Sequence, residues 1–186
     1  FPRPSVDDDS HVAALVALEI GAMPQDSLAS PPVIPHAGRL RLEIQRLRSL
    51  GRVLYLAAHP DDENTRVLAW LAAERKVRAA YLSLTRGGGG QNLIGKERGV
   101  AVAMLRTQEL AAARRVDGAE QFFSRARDFG YSKSAEETLR IWNKAEVLGD
   151  VVWILRRFRP DVVITRFAGD GSGRHGHHTA SALLAK

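Results

Sequence analysis

The chain has 186 residues, enough for one domain with a sizeable core, and its 45% hydrophobic and 26% charged residues are ordinary for a globular protein. No apolar run approaches the ~20 residues that span a bilayer. The absence of cysteine excludes disulfides and thiolate metal ligands, so any metal site must be built from His, Asp or Glu.

The net charge of +6 and the isoelectric point near 10.2 suit solvated basic helices first. They are also compatible with acidic glycans or anionic lipid. No aromatic-rich basic stripe or nucleic-acid motif is present, so nucleic acid is not expected as a partner. The chain opens on Phe1 without a charged segment followed by an apolar one. That start fits a processed form or a fragment, and favours an extracellular or periplasmic location over the cytoplasm.

Residues 1–36 read as a leader: two turn-rich stretches, "PRPSVDDDS" and "SPPVIPH", flank a short helix, "HVAALVALEIGAM". A second helix is expected over Ala37 to Ser49, with Leu40, Ile44 and Leu47 on one face and Gly51 after its end. The pattern then changes. "RVLYLAA" (52–58) is a nearly continuous apolar run, as expected of a strand buried on both faces. "NTRVLAWLAAERK" (64–76) has helical spacing, and "RAAYLSLT" (78–85) is the next strand. The loop "RGGGGQNLIG" precedes a long helix (96–115) and a short strand, "AEQFF" (119–123). Residues 134–158 read as one helix, with Ser134 and Glu137 in capping-box spacing. "DVVITR" (161–166) reads as another buried strand, and "HHTASALLAK" starts a helix still running at Lys186, which points to a polypeptide that continues. Trp70, Trp142 and Trp153 fall at helical positions and are expected in the core.

Alternation of strand and helix predicts an α/β domain, a Rossmann-like three-layer sandwich with a mainly parallel sheet, over residues 37–186. Such sheets bind ligands beyond the carboxyl ends of their strands. "HPDDE", "RGGGGQN" and "GDGSGRHGHH" each follow a strand directly, so three loops should meet at one edge. Four of the six histidines lie in two of these loops. His59 and Asp62 are three apart, as are His175 and His178, which places each pair on one face of a helical turn. Together they offer nitrogen and oxygen donors for zinc, whose catalytic sites use three protein ligands and one open position. A cation would also offset the repulsion among Asp61, Asp62 and Glu63, although an acidic helix start behind Pro60 explains those acids by themselves.

"AAHPDDE" together with the later H-x-x-H, "HGHH", resembles the PIG-L (LmbE-like) family of zinc-dependent de-N-acetylases, over about residues 51–186. "LTRGGGGQNLIG" and "RTQE" sit where that family has its glycine-rich loop and its Arg-x-x-Glu. The resemblance implies a domain incomplete at its C-terminal end that hydrolyses the acetamide of an N-acetylglucosamine-type sugar or conjugate, releasing acetate and a free amine. It implies His59, Asp62 and His178 as ligands of Zn2+ or another divalent metal. It makes Asp61 the general base towards the hydrolytic water, and His175 the group serving the oxyanion or the leaving amine. Arg106 is implied to reach substrate, while its spacing from Glu109 offers a surface ion pair equally well. Asp170 is placed to touch sugar hydroxyls or to orient His175. Glu63 either orients a ligand histidine or faces solvent. His177, between the functional pair, is expected to point elsewhere. Where relatives often carry an acid in the glycine loop this chain has Gly88 and Gly89.

Two other readings compete. One is a metal-binding glycan-recognition or structural module with little or no catalysis, completed by a further segment of the polypeptide or by a second copy. The other, a nucleotide-binding domain using the glycine loop, lacks the G-x-G-x-x-G and P-loop patterns and leaves the histidines unexplained.

Overall fold

In a computed structural model, which describes residues 37–172 and 175–186, the run Arg52–Ala57 forms strand β1 at the centre of a four-stranded sheet. Its side chains alternate between two cores. Leu54 and Leu56 face one, packed with Leu82, Val147, Val151, Ile154 and Phe158; Val53, Tyr55 and Ala57 face the other, with Leu68, Leu71, Tyr81 and Leu110. Both sets are apolar because both faces of the sheet are covered by helices, the condition that turns a strand into a continuous hydrophobic run. The leader helix expected within residues 1–36 lies outside the described residues.

The described elements follow in order: α1 (Ala37–Arg46), β1, α2 (Thr65–Ala69) continuing as a π-helical turn (Trp70–Glu74), β2 (Arg78–Ser83), α3 (Val100–Asp117), β3 (Glu120–Phe123), α4 (Ala135–Ile141), α5 (Lys144–Phe158), β4 (Val162–Thr165) and α6 (Gly176–Leu183). The sheet order is β3-β2-β1-β4, and every pairing is parallel. After β1 the chain winds outward through β2 and β3, then returns so that β4 pairs with the other side of β1. The direction of winding therefore reverses between β1 and β4. At such a switch the loops leaving the two strands diverge and open a crevice.

Several expectations need correction. β4 is not buried on both faces: Val162 and Val163 are exposed, since among the described residues β4 pairs with β1 alone and forms a sheet edge. The helix expected over 134–158 is two helices. Trp142 is buried and its indole donates to Arg127 O at 2.8 Å, while Asn143 takes a left-handed conformation (φ 57°) and breaks the run. Asn tolerates that conformation better than most residues. At the head of α4, Ser134 Oγ accepts from Glu137 N at 3.2 Å, but Glu137 accepts from Lys133 N and Ser132 Oγ, one position before the expected reciprocal donor. α3 begins at Val100 rather than residue 96, behind Gly99 at φ 59° and ψ −125°, a conformation open to glycine. Of the three tryptophans only Trp142 is in the core; Trp70 and Trp153 are exposed, with Arg75 and Arg157 over their rings. The apolar face of α1 is likewise exposed at Leu40 and Ile44. That helix is tied down instead by Arg46, whose guanidinium donates twice to Ala72 O.

Candidate active site

β1 delivers its last residues into the crevice as a tight turn. Asp62 Oδ2 accepts from the backbone N of His59 at 2.8 Å and lies 3.2 Å from His59 Nδ1. Next along the chain, Asn64 caps α2, its side chain accepting from Val67 N. The neighbouring strand holds the turn from below. Buried Tyr81 donates its hydroxyl to His59 O, and Thr85 Oγ1 donates to Ala58 O at 2.9 Å. His59 is thus fixed by the sheet rather than by the loop.

From β4 the chain enters α6 with His175 as its N-cap; the imidazole Nδ1 accepts from His177 N at 3.3 Å. Gly176 lies against the α4 entrance, donating its N–H to Ser132 O at 2.8 Å. α6 then points three imidazoles at β1: the rings of His175, His177 and His178 lie 5.2, 5.1 and 5.2 Å from that of His59. His178 Nε2 is 3.7 Å from Asp62 Oδ1, and the Phe167 ring stacks flat on His178 at 3.8 Å. Donor atoms of His59, Asp62 and His178 all lie within 4.8 Å of one another, as do those of His59, His175 and His177. Two imidazoles and a carboxylate, without thiolate, form a donor set suited to zinc.

Burial opposes ionisation of Asp62, but the hydrogen bonds and charge of His59, with His178 nearby, outweigh it and hold the carboxyl below its usual range. Burial depresses His175 and His178, and it lowers His177 to about 3, reinforced by the charges of the other three imidazoles. At neutral pH these three rings are therefore neutral, with lone pairs available for a cation.

Asp61 turns the other way. Its carboxylate is largely exposed and lies 3.5 Å from Arg106 Nη1, so Arg106 pairs with Asp61 rather than with Glu109. The glycine-rich loop threads between these groups. A Cβ at Gly87 would stand 2.7 Å from Arg106 Cδ and 3.0 Å from Pro60 Cδ, and the residue sits at φ 71°. The space a side chain at Gly89 would need is occupied by Asp128, whose Oδ1 would be 2.5 Å from the added Cβ. Glu63 faces neither solvent nor a histidine: it is buried, with Oε1 3.5 Å from Arg114, which also holds Asp117 at 2.6 Å. Asp170 bends back on its own loop, accepting from Ser172 N at 2.9 Å.

The structure thus brings together His59, Asp62, His175 and His178, and sets Asp61 beside them with Arg106, while Asp170 bonds within its own loop. His177, expected to point away, is fully buried with Nδ1 2.9 Å from His59 Nε2. Asp128, 3.8 Å from His177 Nδ1, and the rings of Phe129, Tyr131 and Trp142 complete the surroundings of the cluster. Nothing in the spacing of "RDFGYS" marks those residues for this place, because they arrive from beyond β3 by tertiary packing.

The model of the GlcNAc-PI de-N-acetylase (PIG-L) family matches residues 54–186, a span that contains the whole cluster. The chain belongs to the PIG-L family. Among characterised proteins similar to this PIG-L domain is the 1D-myo-inositol 2-acetamido-2-deoxy-alpha-D-glucopyranoside deacetylase of Kineococcus radiotolerans, 29% identical over 157 residues, which are 72% of this chain and 44% of that protein. Among solved structures, the N,N'-diacetylchitobiose deacetylase of Pyrococcus horikoshii aligns with a TM-score of 0.55 at 20% identity, over 98% of this chain and 59% of that one. A 4-carboxy-2-hydroxymuconate hydratase of Pseudomonas putida aligns with a TM-score of 0.53 at 21% identity, over 73% and 54%. The chain therefore spans about half the length of these relatives. At such identities the structures establish the shared α/β fold, and a hydratase among them means that the fold alone does not select the reaction.

Proposed function

We propose that this PIG-L domain is the catalytic part of a zinc-dependent deacetylase that hydrolyses the acetamide of an N-acetylglucosamine-type sugar or conjugate. The observation that carries this reading is the convergence of His59 Nδ1, the Asp62 carboxylate and His178 Nε2 at the carboxyl ends of β1 and β4, with Asp61 on the open side. The family match and the deacetylase from Kineococcus radiotolerans support the substrate class.

His59, Asp62 and His178 would hold the zinc, which when bound polarises an amide carbonyl and acidifies water. Asp61 takes a proton from the attacking water. Arg106 Nη1, 3.5 Å away, holds that carboxylate at the crevice mouth. His175, held in place as the N-cap of α6, presents its ring to the acetamide oxygen or to the leaving nitrogen. The water oxygen bonds to the acetamide carbon as its proton passes to Asp61; the C–N bond then breaks, acetate leaves, and the nitrogen departs as an amine carrying the proton that Asp61 returns, directly or through His175.

Metal content and acetate release from a panel of N-acetylglucosamine oligomers and small conjugates test the proposal. The chain should bind one zinc, and chelation should abolish acetate release. Asp61→Asn should keep the zinc and lose about 10²–10⁴-fold in kcat. Hydrolysis by that variant at the parental rate would remove Asp61 from the role of base.

A further inference from the structure

His177 is the one histidine of the cluster to which the proposed reaction gives no part, and it is the most deeply placed. Its side chain is fully buried at the first turn of α6. Nδ1 lies 2.9 Å from His59 Nε2, while Nε2 is buried with no hydrogen-bond partner among the described residues. Phe129 packs edge-on against the ring at 4.4 Å and Trp142 lies tilted against it at 4.7 Å.

The two nitrogens of His59 face different tasks. Nδ1 is turned to Asp62, and Nε2 to His177. We infer that His177 is the positioning residue for His59: its Nδ1 accepts the Nε2–H of His59, fixing that ring with its Nδ1 lone pair towards Asp62 and His178. The inference rests on the metal-site reading above. A ligating Nδ1 carries no proton, so the proton of neutral His59 sits on Nε2 and needs an acceptor. Neutral His177 has one donor and one acceptor nitrogen, so accepting at Nδ1 places its own proton on Nε2, among aromatic rings. The acceptor is thereby uncharged. Asp128, at 3.8 Å from His177 Nδ1, is beyond hydrogen-bond distance, so no second carboxylate enters the relay.

The test uses the full chain. Zinc affinity is measured by competition with a chromophoric chelator for the parent, His177→Leu and His177→Asn, and the side-chain 15N shifts of His59 and His177 are recorded in the zinc-loaded parent. Asn places its amide oxygen near the position of the imidazole Nδ1. Loss of the acceptor in His177→Leu should weaken zinc binding about 10–100-fold, and His177→Asn should restore most of it. The 15N spectrum should show His177 protonated at Nε2 and bare at Nδ1. A folded His177→Leu that binds zinc as tightly as the parent overturns the inference, as does a proton on His177 Nδ1 in the zinc-loaded parent. If His177→Leu does not fold, the 15N result on the parent decides. A parent that takes up no zinc at all refutes the metal-site reading itself, a result distinct from either of the others.

Discussion

Gly176 joins the His175 cap to the rest of α6, and the structure allows no side chain there. An added Cβ would collide with the Ser134 carbonyl oxygen and stand 2.6 Å from both Ser132 Oγ and the Ser134 carbonyl carbon. Van der Waals separation for such atoms is about 3.5 Å, so the overlap is roughly 1 Å. Two of the three obstacles are backbone atoms at the head of α4, which cannot swing aside. Gly176→Ala must therefore push α6 away from α4 by something near that distance, stretching the 2.8 Å bond from Gly176 N to Ser132 O. Overpacking of this kind costs about 1–3 kcal/mol. For a domain of this size that lowers Tm by about 2–4 °C per kcal/mol. Because α6 carries His175 and His178, a shift of about 1 Å should also cost about 10²-fold in kcat/KM. The control is Gly149→Ala in α5, where an added Cβ meets nothing within 4 Å; it should stabilise by about 0.5–1 kcal/mol. Thermal unfolding and acetate release measured on the pair decide the matter. A Gly176→Ala protein with parental Tm and rate would refute the claim that this contact sets the position of α6.

Arg114→Leu should cost about 3–5 kcal/mol in urea unfolding, because it leaves the buried carboxylates of Asp117 and Glu63 without their cation. Burial already holds the Glu63 carboxyl above its usual range despite the charge of Arg114, so losing that partner should raise it further; an unchanged urea midpoint would show the network to be dispensable. In chelated protein, stability should be intact above about pH 6.5 and fall as the pH drops towards 3. Over that window the unfolded chain takes up a proton at His177 that the folded chain, with this group at about 3, does not. The slope from one such histidine is about 1.4 kcal/mol per pH unit. His177→Phe should flatten the profile by about that amount between pH ~6 and ~5, above the range where carboxylates titrate; an unaltered slope would refute the assignment.

How far the chain can be read without coordinates depends on which contacts decide each feature. β1 and β2 are legible because both their faces are covered, so the apolar run itself carries the signal. The placing of His59, Asp62, His175 and His178 at one edge follows from strand order and spacing. The break at Asn143 is not legible: "SAEETLRIWNKAEVLGD" keeps helical composition throughout, and the interruption comes from where Trp142 is anchored. The exposure of β4 escapes for the opposite reason, since "DVVITR" has the composition of an interior strand and its edge position is a matter of sheet order. His177 escapes because a spacing of three points only to His175 and His178 as inward residues. α6 is short and buried at Gly176, His177, Thr179, Ala180, Ser181 and Ala182, so most of its circumference faces protein. On such a helix the inward side is wide enough for a third imidazole between the other two.

The bond between His59 and His177 joins residues 118 apart in the chain. During synthesis β1, β2 and β3 can pair as they emerge, but the turn after β1 waits for its imidazole partners until α6 has left the ribosome. Until then Asp61, Asp62 and Glu63 stand together with no histidine from α6 opposite them. The crevice is thus completed only once residues 175–178 have been made, and a chain stalled before residue 175 would carry much of the sheet but neither His175 nor His178.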